Sequence, residues 1–195
     1  MLRLHNPSAS NTFKIPTPSQ KISRLYPSDT TPYVIEAPDT GKKVWVSPSF
    51  LSDDQIETLT SICKTLLLEK RSCQLIKEDK DKSSILQDML KDLNIPLKLE
   101  YTDFVSVSYN NTYIPIHTDF QHICPFTHKV LIYLSQTPEN TGGTIFYTED
   151  EVPFVTTPNY AGSVVIFDST LKHASQPFPP DYVKISIGIR AREVV

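Results

Sequence analysis

The region from residue 97 to residue 192 consists of short strand-like segments separated by turn residues. Branched and aromatic residues predominate in the segments, and Asn, Pro and Gly separate them. Eight strands are predicted, at 104–109, 114–118, 129–135, 144–148, 154–157, 163–167, around His173 and at 183–192. Short strands at this spacing are typical of a sandwich or barrel. There is no alternation of strands with helices, which argues against a parallel sheet.

Two further strands and a helix are predicted before this region. Tyr33–Glu36 and residues 44–46 are short runs of β-prone residues. Ser52 and Gln55 have the spacing of a capping box, which predicts a helix that begins there. The apolar residues of this helix recur at helical spacing and predict one buried face. They are Ile56, Leu59, Ile62, Cys63, Leu66 and Leu67.

The order of these segments predicts an α+β fold that is mainly β. A second short helix is expected to end before Pro96, with four residues facing inward: Leu86, Met89, Leu90 and Leu93. Residues 1–32 are rich in Pro, Ser and Thr, and we expect an arm that is disordered or laid on the surface. Residues 33–195 are predicted to form one domain, with its β core at about 97–192.

The composition argues against a nucleic-acid or membrane protein. The formal net charge is −3, and no basic stripe is visible. The longest uncharged apolar runs are far shorter than the roughly 20 residues that span a bilayer, and no secretory signal is recognisable. The three cysteines form no CxxC pair, which argues against a disulfide framework and favours a reducing compartment. We therefore expect a cytoplasmic protein. The oligomeric state is left open.

Two histidines and an aspartate are candidate metal ligands. His117 and Asp119 are two residues apart on a predicted strand, so their side chains are expected on the same face. His173 would reach them from a distant strand, as a closed β fold allows. Two imidazoles and one carboxylate suit non-haem Fe(II) and leave positions open for a cosubstrate and dioxygen. The alternative for this triplet alone is a surface His–Asp pair and an unrelated core histidine.

The last predicted strand has two different faces. Lys184, Ser186, Gly188, Arg190 and Arg192 alternate with three isoleucines. A lysine, a serine and a glycine on an inward face suit a pocket for a carboxylate, with the lysine as counter-charge and the serine as donor. The alternative is an ordinary amphipathic strand with its charges in water, which applies most readily to the two arginines.

Several further motifs follow the His117-Thr118-Asp119 triplet in order. They are residues 131–134, the Gly-Gly segment 142–146, the turn 158–162, the apolar strand 164–167, His173 and Lys184-Ile185-Ser186. Together these motifs resemble the Fe(II)/2-oxoglutarate-dependent dioxygenases, and most closely the prolyl-4-hydroxylase-like branch. The resemblance covers about residues 100–192. The spacing within the Gly-Gly segment and the Pro/Gly turn departs slightly from the commonest form of the family.

The resemblance implies a fold and a metal site. The fold is a double-stranded β-helix, which is jelly-roll or cupin-like, with N-terminal helices packed on one sheet. The metal is Fe(II), bound by His117, Asp119 and His173, which are then also the catalytic residues. Relatives that halogenate replace the carboxylate by a small residue, so the presence of Asp119 favours hydroxylation.

The resemblance also implies a cosubstrate site. The 2-oxoglutarate would chelate iron, and its far carboxylate would pair with Lys184. Tyr133 and Tyr109 occupy positions that often line the same pocket, although Tyr133 is equally well explained as a core aromatic residue. Ser186 is expected to make a secondary contact.

The activity implied by the resemblance is hydroxylation of an unactivated C–H bond. Dioxygen is consumed, 2-oxoglutarate yields succinate and CO2, and ascorbate is a supporting reductant. The prolyl-hydroxylase-like core favours a protein or peptide side chain as acceptor, and a small molecule is the alternative.

Three other interpretations stay open. The run His117, Asp119, His122 suggests a local zinc site, but strand spacing places His122 on a turn. The six-residue spacing from Lys184 to Arg190 is similar to that of the nucleic-acid demethylases, although that branch has an arginine at the first position. The third interpretation is a binding module that has this fold but no catalytic activity.

Overall fold

The structure is a computed structural model that describes residues 30–68, 99–110, 114–119, 126–137, 141–179 and 184–193. One helix and nine strands are assigned within these ranges. They are β1 (Tyr33–Glu36), β2 (Lys43–Ser47), α1 (Asp53–Leu68), β3 (Leu99–Asn110), β4 (His128–Tyr133), β5 (Thr144–Tyr147), β6 (Pro153–Thr157), β7 (Val164–Asp168), β8 (Lys172–Ser175) and β9 (Lys184–Glu193).

The strands form two antiparallel sheets. The major sheet has six strands in the order β1-β2-β7-β4-β9-β3, and the minor sheet has three in the order β6-β5-β8. Most neighbours in the major sheet are distant in sequence, as β4 lies between β7 and β9. The prediction of a mainly β, α+β fold is confirmed for this part of the chain.

The predicted strands agree with the observed ones in most places. The ends of β4, β5, β6, β7 and β9 differ from the predictions by at most two residues, and β8 forms around His173 as expected. In contrast, β3 begins five residues earlier than expected, at Leu99. This extension pairs with the end of β9, and the register of the two strands shifts between Tyr101 and Val105. The prediction missed the extension because the alternation of the two faces is interrupted at such an irregularity.

The prediction of a strand at 114–118 is wrong. Only an isolated bridge forms there, between His117 and His173, with backbone N–O distances of 3.0 and 2.9 Å. Pro115 has no N–H group with which to extend a ladder. Ile114 is instead held by Ser175, whose hydroxyl lies 2.6 Å from the Ile114 nitrogen. The inference that strand alternation places His117 and Asp119 together therefore rested on the wrong local structure.

Helix α1 begins as the capping box predicted. The Ser52 nitrogen donates to Gln55 Oε1 at 2.9 Å, and the Gln55 nitrogen donates to Ser52 Oγ at 3.3 Å. Leu59 and Cys63 of the predicted apolar face are buried, and burial raises the pKa of the Cys63 thiol to about 12. No helix in the described ranges is long and apolar enough to cross a membrane.

Three other expectations lie outside the described residues. They are residues 1–29 of the arm predicted at 1–32, the second helix that is expected to end before Pro96, and the free state expected for Cys73 and Cys124. The packing of the N-terminal helices on one sheet and the cytoplasmic location also stay predictions.

The apolar core lies between the two sheets. Its buried members come from β2, β4, β5, β7 and the turns beside them: Ala37, Val44, Val46, Tyr133, Phe146, Val165, Phe167 and Leu171. Phe146 of the minor sheet packs edge-on against Phe167 of the major sheet, with ring centroids 4.9 Å apart. This contact holds the sheets together next to the strand that carries His173.

Candidate metal and cosubstrate site

A cavity of about 190 Å³ lies beside this core, between the two sheets. Its polar lining residues include most of those singled out in the sequence. The lining consists of Ile114, His117, Asp119, Lys129, Leu131, Tyr133, Thr144, His173, Ala174, Ser175, Phe178, Lys184, Ser186 and Gly188. The strand register explains this set, because Tyr133 pairs with Ser186 and Leu131 pairs with Gly188. Directly paired residues of antiparallel strands share a face.

The three predicted metal ligands converge in this cavity. Each of His117, Asp119 and His173 offers one ligand atom, and these atoms all lie within 4.8 Å of one another. The backbone bridge between the two histidines brings their rings together, with centroids 4.2 Å apart. The alternative of a surface pair and an unrelated histidine is therefore wrong.

Each histidine is oriented by a backbone carbonyl. The Nδ1 atom of His117 lies 2.8 Å from the Pro115 oxygen, and that of His173 lies 3.0 Å from the Leu171 oxygen. A carbonyl only accepts, so both rings carry their proton on Nδ1 when neutral. The Nε2 lone pairs are then free for a metal, which is the usual arrangement of histidine ligands.

His173 is held in its neutral form. It is 5% exposed, and Phe167 and Phe146 lie against it, with ring centroids 4.7 and 6.0 Å away. Burial lowers the pKa of His173 to about 4, and the nearby Asp119 carboxylate partly opposes this shift. A neutral imidazole needs to lose no proton before it binds a metal at neutral pH.

Lys129 is a site residue that the sequence analysis did not identify. It is buried at the start of β4, and its Nζ lies 3.5 Å from Asp119 Oδ2. Burial lowers its pKa, the Asp119 carboxylate opposes this shift, and Arg190 adds to it. The sequence contained a signal for this residue. Lys129, Leu131 and Tyr133 follow one another at intervals of two residues, so Lys129 lies on the same face of the strand as the predicted pocket residue Tyr133.

Lys184, the cation predicted for the cosubstrate, lines the same cavity. It is 8% exposed, and burial lowers its pKa to about 8. Its Nζ lies 3.5 Å from the Gly143 oxygen and 5.0 Å from the centre of the Tyr133 ring. Since Lys184 and Ser186 are both buried, the alternative of a strand with these charges in water is wrong for them; Arg192, by contrast, is exposed.

Tyr133 fits both roles considered for it. Its ring belongs to the core cluster, while its hydroxyl lies 2.5 Å from Thr144 Oγ1 beside Lys184 in the cavity lining. Burial raises its pKa, so it stays a neutral hydrogen-bond donor. Tyr109 pairs with Ile185 rather than with Lys184 or Ser186, and its side chain is outside the part of the structure that is described.

The donor set suits the iron predicted from the sequence. Two imidazole nitrogens and one carboxylate on one side of a cavity are the facial arrangement that non-haem Fe(II) accepts. The residues lining the remaining side leave space next to the ligands. His122, the additional residue of the zinc alternative, lies outside the described ranges.

Comparison with known proteins reveals similarity in structure only. No protein-family model matches the sequence, and no curated protein matches it. Among solved structures, a prolyl-4-hydroxylase from Pseudomonas putida superposes with a TM-score of 0.53 at 16% identity, over 78% of this chain and 93% of that chain.

Two further structures have a similar degree of match. HygX from Streptomyces hygroscopicus, which contains nickel and 2-oxoglutarate, has a TM-score of 0.58 at 13% identity, over 76% of this chain and 81% of that chain. SnoN, a non-heme α-ketoglutarate-dependent epimerase from nogalamycin biosynthesis, has a TM-score of 0.60 at 14% identity, over 76% of both chains. The predicted double-stranded β-helix fold is thereby confirmed.

Proposed function

We propose that this protein is an Fe(II)- and 2-oxoglutarate-dependent dioxygenase. One observation carries the proposal: a single cavity holds three convergent metal ligands and a buried lysine. Burying a charged lysine is unfavourable unless a partner compensates it. A dicarboxylate that contacts both the metal and Lys184 supplies that partner.

His117, Asp119 and His173 would hold the iron. Their ligand atoms lie within 4.8 Å of one another, and all three residues line the cavity. The chemistry supplied by such a centre is oxidation of a C–H bond by dioxygen, with conversion of 2-oxoglutarate to succinate and CO2. The contribution of the protein is to orient the reactants and to exclude water from a cavity with apolar walls.

Lys184 would bind the far carboxylate of 2-oxoglutarate. Thr144 and Ser186 lie on the same lining and offer hydroxyl donors, and Tyr133 orients Thr144 through its short hydrogen bond. Charge-assisted hydrogen bonds of this kind are the strongest available to a carboxylate. Tyr109 is not assigned to the cosubstrate, because it pairs with Ile185, which alternates with Lys184 and Ser186 on β9.

We propose hydroxylation of a protein or peptide side chain as the reaction. The P. putida prolyl-4-hydroxylase supports this choice, because 93% of its length is covered. A small-molecule acceptor is the second candidate, because HygX and SnoN superpose at least as well. Ile114 lines the cavity and is 38% exposed, which marks a side from which an acceptor can enter.

The activity is tested by measuring succinate formation from 2-oxoglutarate with Fe(II), dioxygen and ascorbate. We expect turnover by the wild type and background levels for His117→Ala. For Lys184→Ala we expect a KM for 2-oxoglutarate about 10- to 100-fold higher, because a hydrogen bond to a charged group contributes about 1.5–3 kcal/mol. Lys43→Ala is the matched control, because Lys43 pairs with Glu36 on the exposed surface of the major sheet.

The acceptor class is tested by the stimulation of succinate formation. Proline-containing peptides, small hydroxylatable molecules and methylated oligonucleotides are added separately. Stimulation by a peptide, with a mass increase of one oxygen atom, supports the proposed reaction. Release of a methyl group from an oligonucleotide would instead support the demethylase alternative. Wild-type protein without iron-dependent turnover under any of these conditions would support a binding module.

A further inference from the structure

Lys129 lies at the end of the cavity that holds the three candidate metal ligands. It belongs to a central strand of the major sheet, and its backbone pairs with Phe167 on one side and with Arg190 on the other. Ladder bonds on both sides leave the backbone little freedom. The side chain is 10% exposed and ends 3.5 Å from Asp119 Oδ2.

Asp119 differs from the two histidines in how its backbone is held. His117 and His173 are joined by a backbone bridge, and each ring is oriented by a carbonyl. Asp119 follows that bridge and belongs to no strand. Within the described ranges, Lys129 Nζ and the neutral His173 Nε2 lie 3.5 and 3.6 Å from the same Asp119 oxygen, Oδ2.

We infer that Lys129 is a positioning residue that orients the Asp119 carboxylate toward the two histidines. The inference rests on the proposed function, since it assigns a role next to the iron. Lys129 orients the carboxylate, as the carbonyls of Pro115 and Leu171 orient the two histidine rings. Groups that orient metal ligands in this way commonly change metal affinity 10- to 100-fold when they are removed.

A purely electrostatic view makes the opposite prediction. An ammonium group close to a bound dication repels it, so removal of Lys129 would strengthen metal binding. The orienting role predicts weaker binding, because the free carboxylate has to be ordered each time the metal binds. The sign of the change in metal affinity therefore decides between the two.

The experiment is titration of the whole metal-free protein with Co(II), followed by the d–d absorption of the bound metal. We expect Lys129→Met to bind Co(II) at least about 10-fold more weakly than the wild type, with an altered d–d spectrum. Lys129→Arg keeps the charge, and we expect it to recover most of the affinity and the wild-type spectrum. Circular dichroism and thermal unfolding check that each variant is folded.

Lys184→Met is the matched control. It removes the same charge from the same cavity, but Lys184 has no contact with Asp119 among those seen in the described residues. We expect it to bind Co(II) like the wild type and 2-oxoglutarate more weakly. Lys43→Met, on the surface, is expected to change neither affinity.

The outcomes separate this inference from the proposed function. If the wild type binds Co(II) and Lys129→Met binds it equally well or more tightly, the orienting role is overturned while the proposed function stands. A lower melting temperature without a change in Co(II) affinity also overturns it, since Lys129 would then be only structural. If the wild type binds no Co(II), both proposals fail. Failure of Lys129→Arg to recover any affinity would count against an orienting charge.

Discussion

Lys184 shows how burial prepares a side chain for its ligand. The ammonium group contacts only a carbonyl oxygen and an aromatic ring among the described residues, so its charge is not compensated by a carboxylate. Burial lowers its pKa from 10.5 to about 8. Between these values the folded protein binds fewer protons than the unfolded chain, so the free energy of unfolding of the ligand-free protein increases with pH over this range.

The same shift predicts a pH-dependent KM for 2-oxoglutarate. Only the protonated lysine attracts the dianion, and the free protein loses this proton as the pH rises through about 8. We expect the KM to rise above pH 8, up to tenfold for each pH unit once deprotonation is complete. Lys184→Arg should shift this rise beyond the accessible range, because arginine stays charged. A KM that is flat from pH 7 to pH 10 would contradict the assignment of Lys184.

At the level of single elements, the start of α1 is defined by a local motif. The reciprocal hydrogen bonds of Ser52 and Gln55 satisfy backbone and side-chain groups at the first turn. We expect Ser52→Ala to lower the free energy of unfolding by about 1 kcal/mol without changing the KM for 2-oxoglutarate. Denaturant unfolding measures the first quantity and steady-state kinetics the second. Ser49→Ala, in the preceding turn, serves as a control with an expected change close to zero.

The start of β5 depends on a close backbone approach at Gly143. A Cβ atom at this position would lie 1.8 Å from the Thr157 oxygen of β6, and the Gly143 oxygen contacts Lys184. We expect Gly143→Ala to destabilise the protein by about 1–3 kcal/mol through overpacking and to raise the KM for 2-oxoglutarate. Gly41→Ala is the contrasting variant, because its Cβ would meet no atom within 4 Å. Because the φ of Gly41 is 67°, alanine there is expected to lower the free energy of unfolding through backbone strain alone, without steric overlap. If Gly143→Ala leaves the KM for 2-oxoglutarate unchanged, Gly143 does not contribute to cosubstrate binding.

Across the whole molecule, the proposed metal ligands come from segments that are far apart in sequence. His117 lies before β4 and His173 lies on β8, so the ligands are together only in the folded chain. A metal that binds the folded state alone stabilises it by about 2.7 kcal/mol at a free concentration 100 times its Kd. For a chain of this length we expect Co(II) to raise the melting temperature by roughly 5–10 °C. His117→Ala should abolish the increase, and an equal increase in that variant would place the metal elsewhere.

The sequence by itself determined most of the strands, the start of α1 and the three candidate ligands. Alternation, turn residues and capping are local patterns, so β4, β5, β6, β7 and β9 were predicted within two residues of their observed ends. The order of the motifs was sufficient to select His117, Asp119 and His173. The failures are at Pro115, where a missing donor reduced a predicted strand to one bridge, and in β3, where an irregular register hid an extension.

Only the tertiary structure decided how these residues act on one another. The ion pair between Lys129 and Asp119 depends on the placement of a central strand, and the tautomers of both histidines depend on carbonyls that their turns bring close. The same holds for the burial that lowers the pKa of Lys184. Distance, burial and orientation are set by sheet pairing between distant segments, and a local pattern carries no information about them.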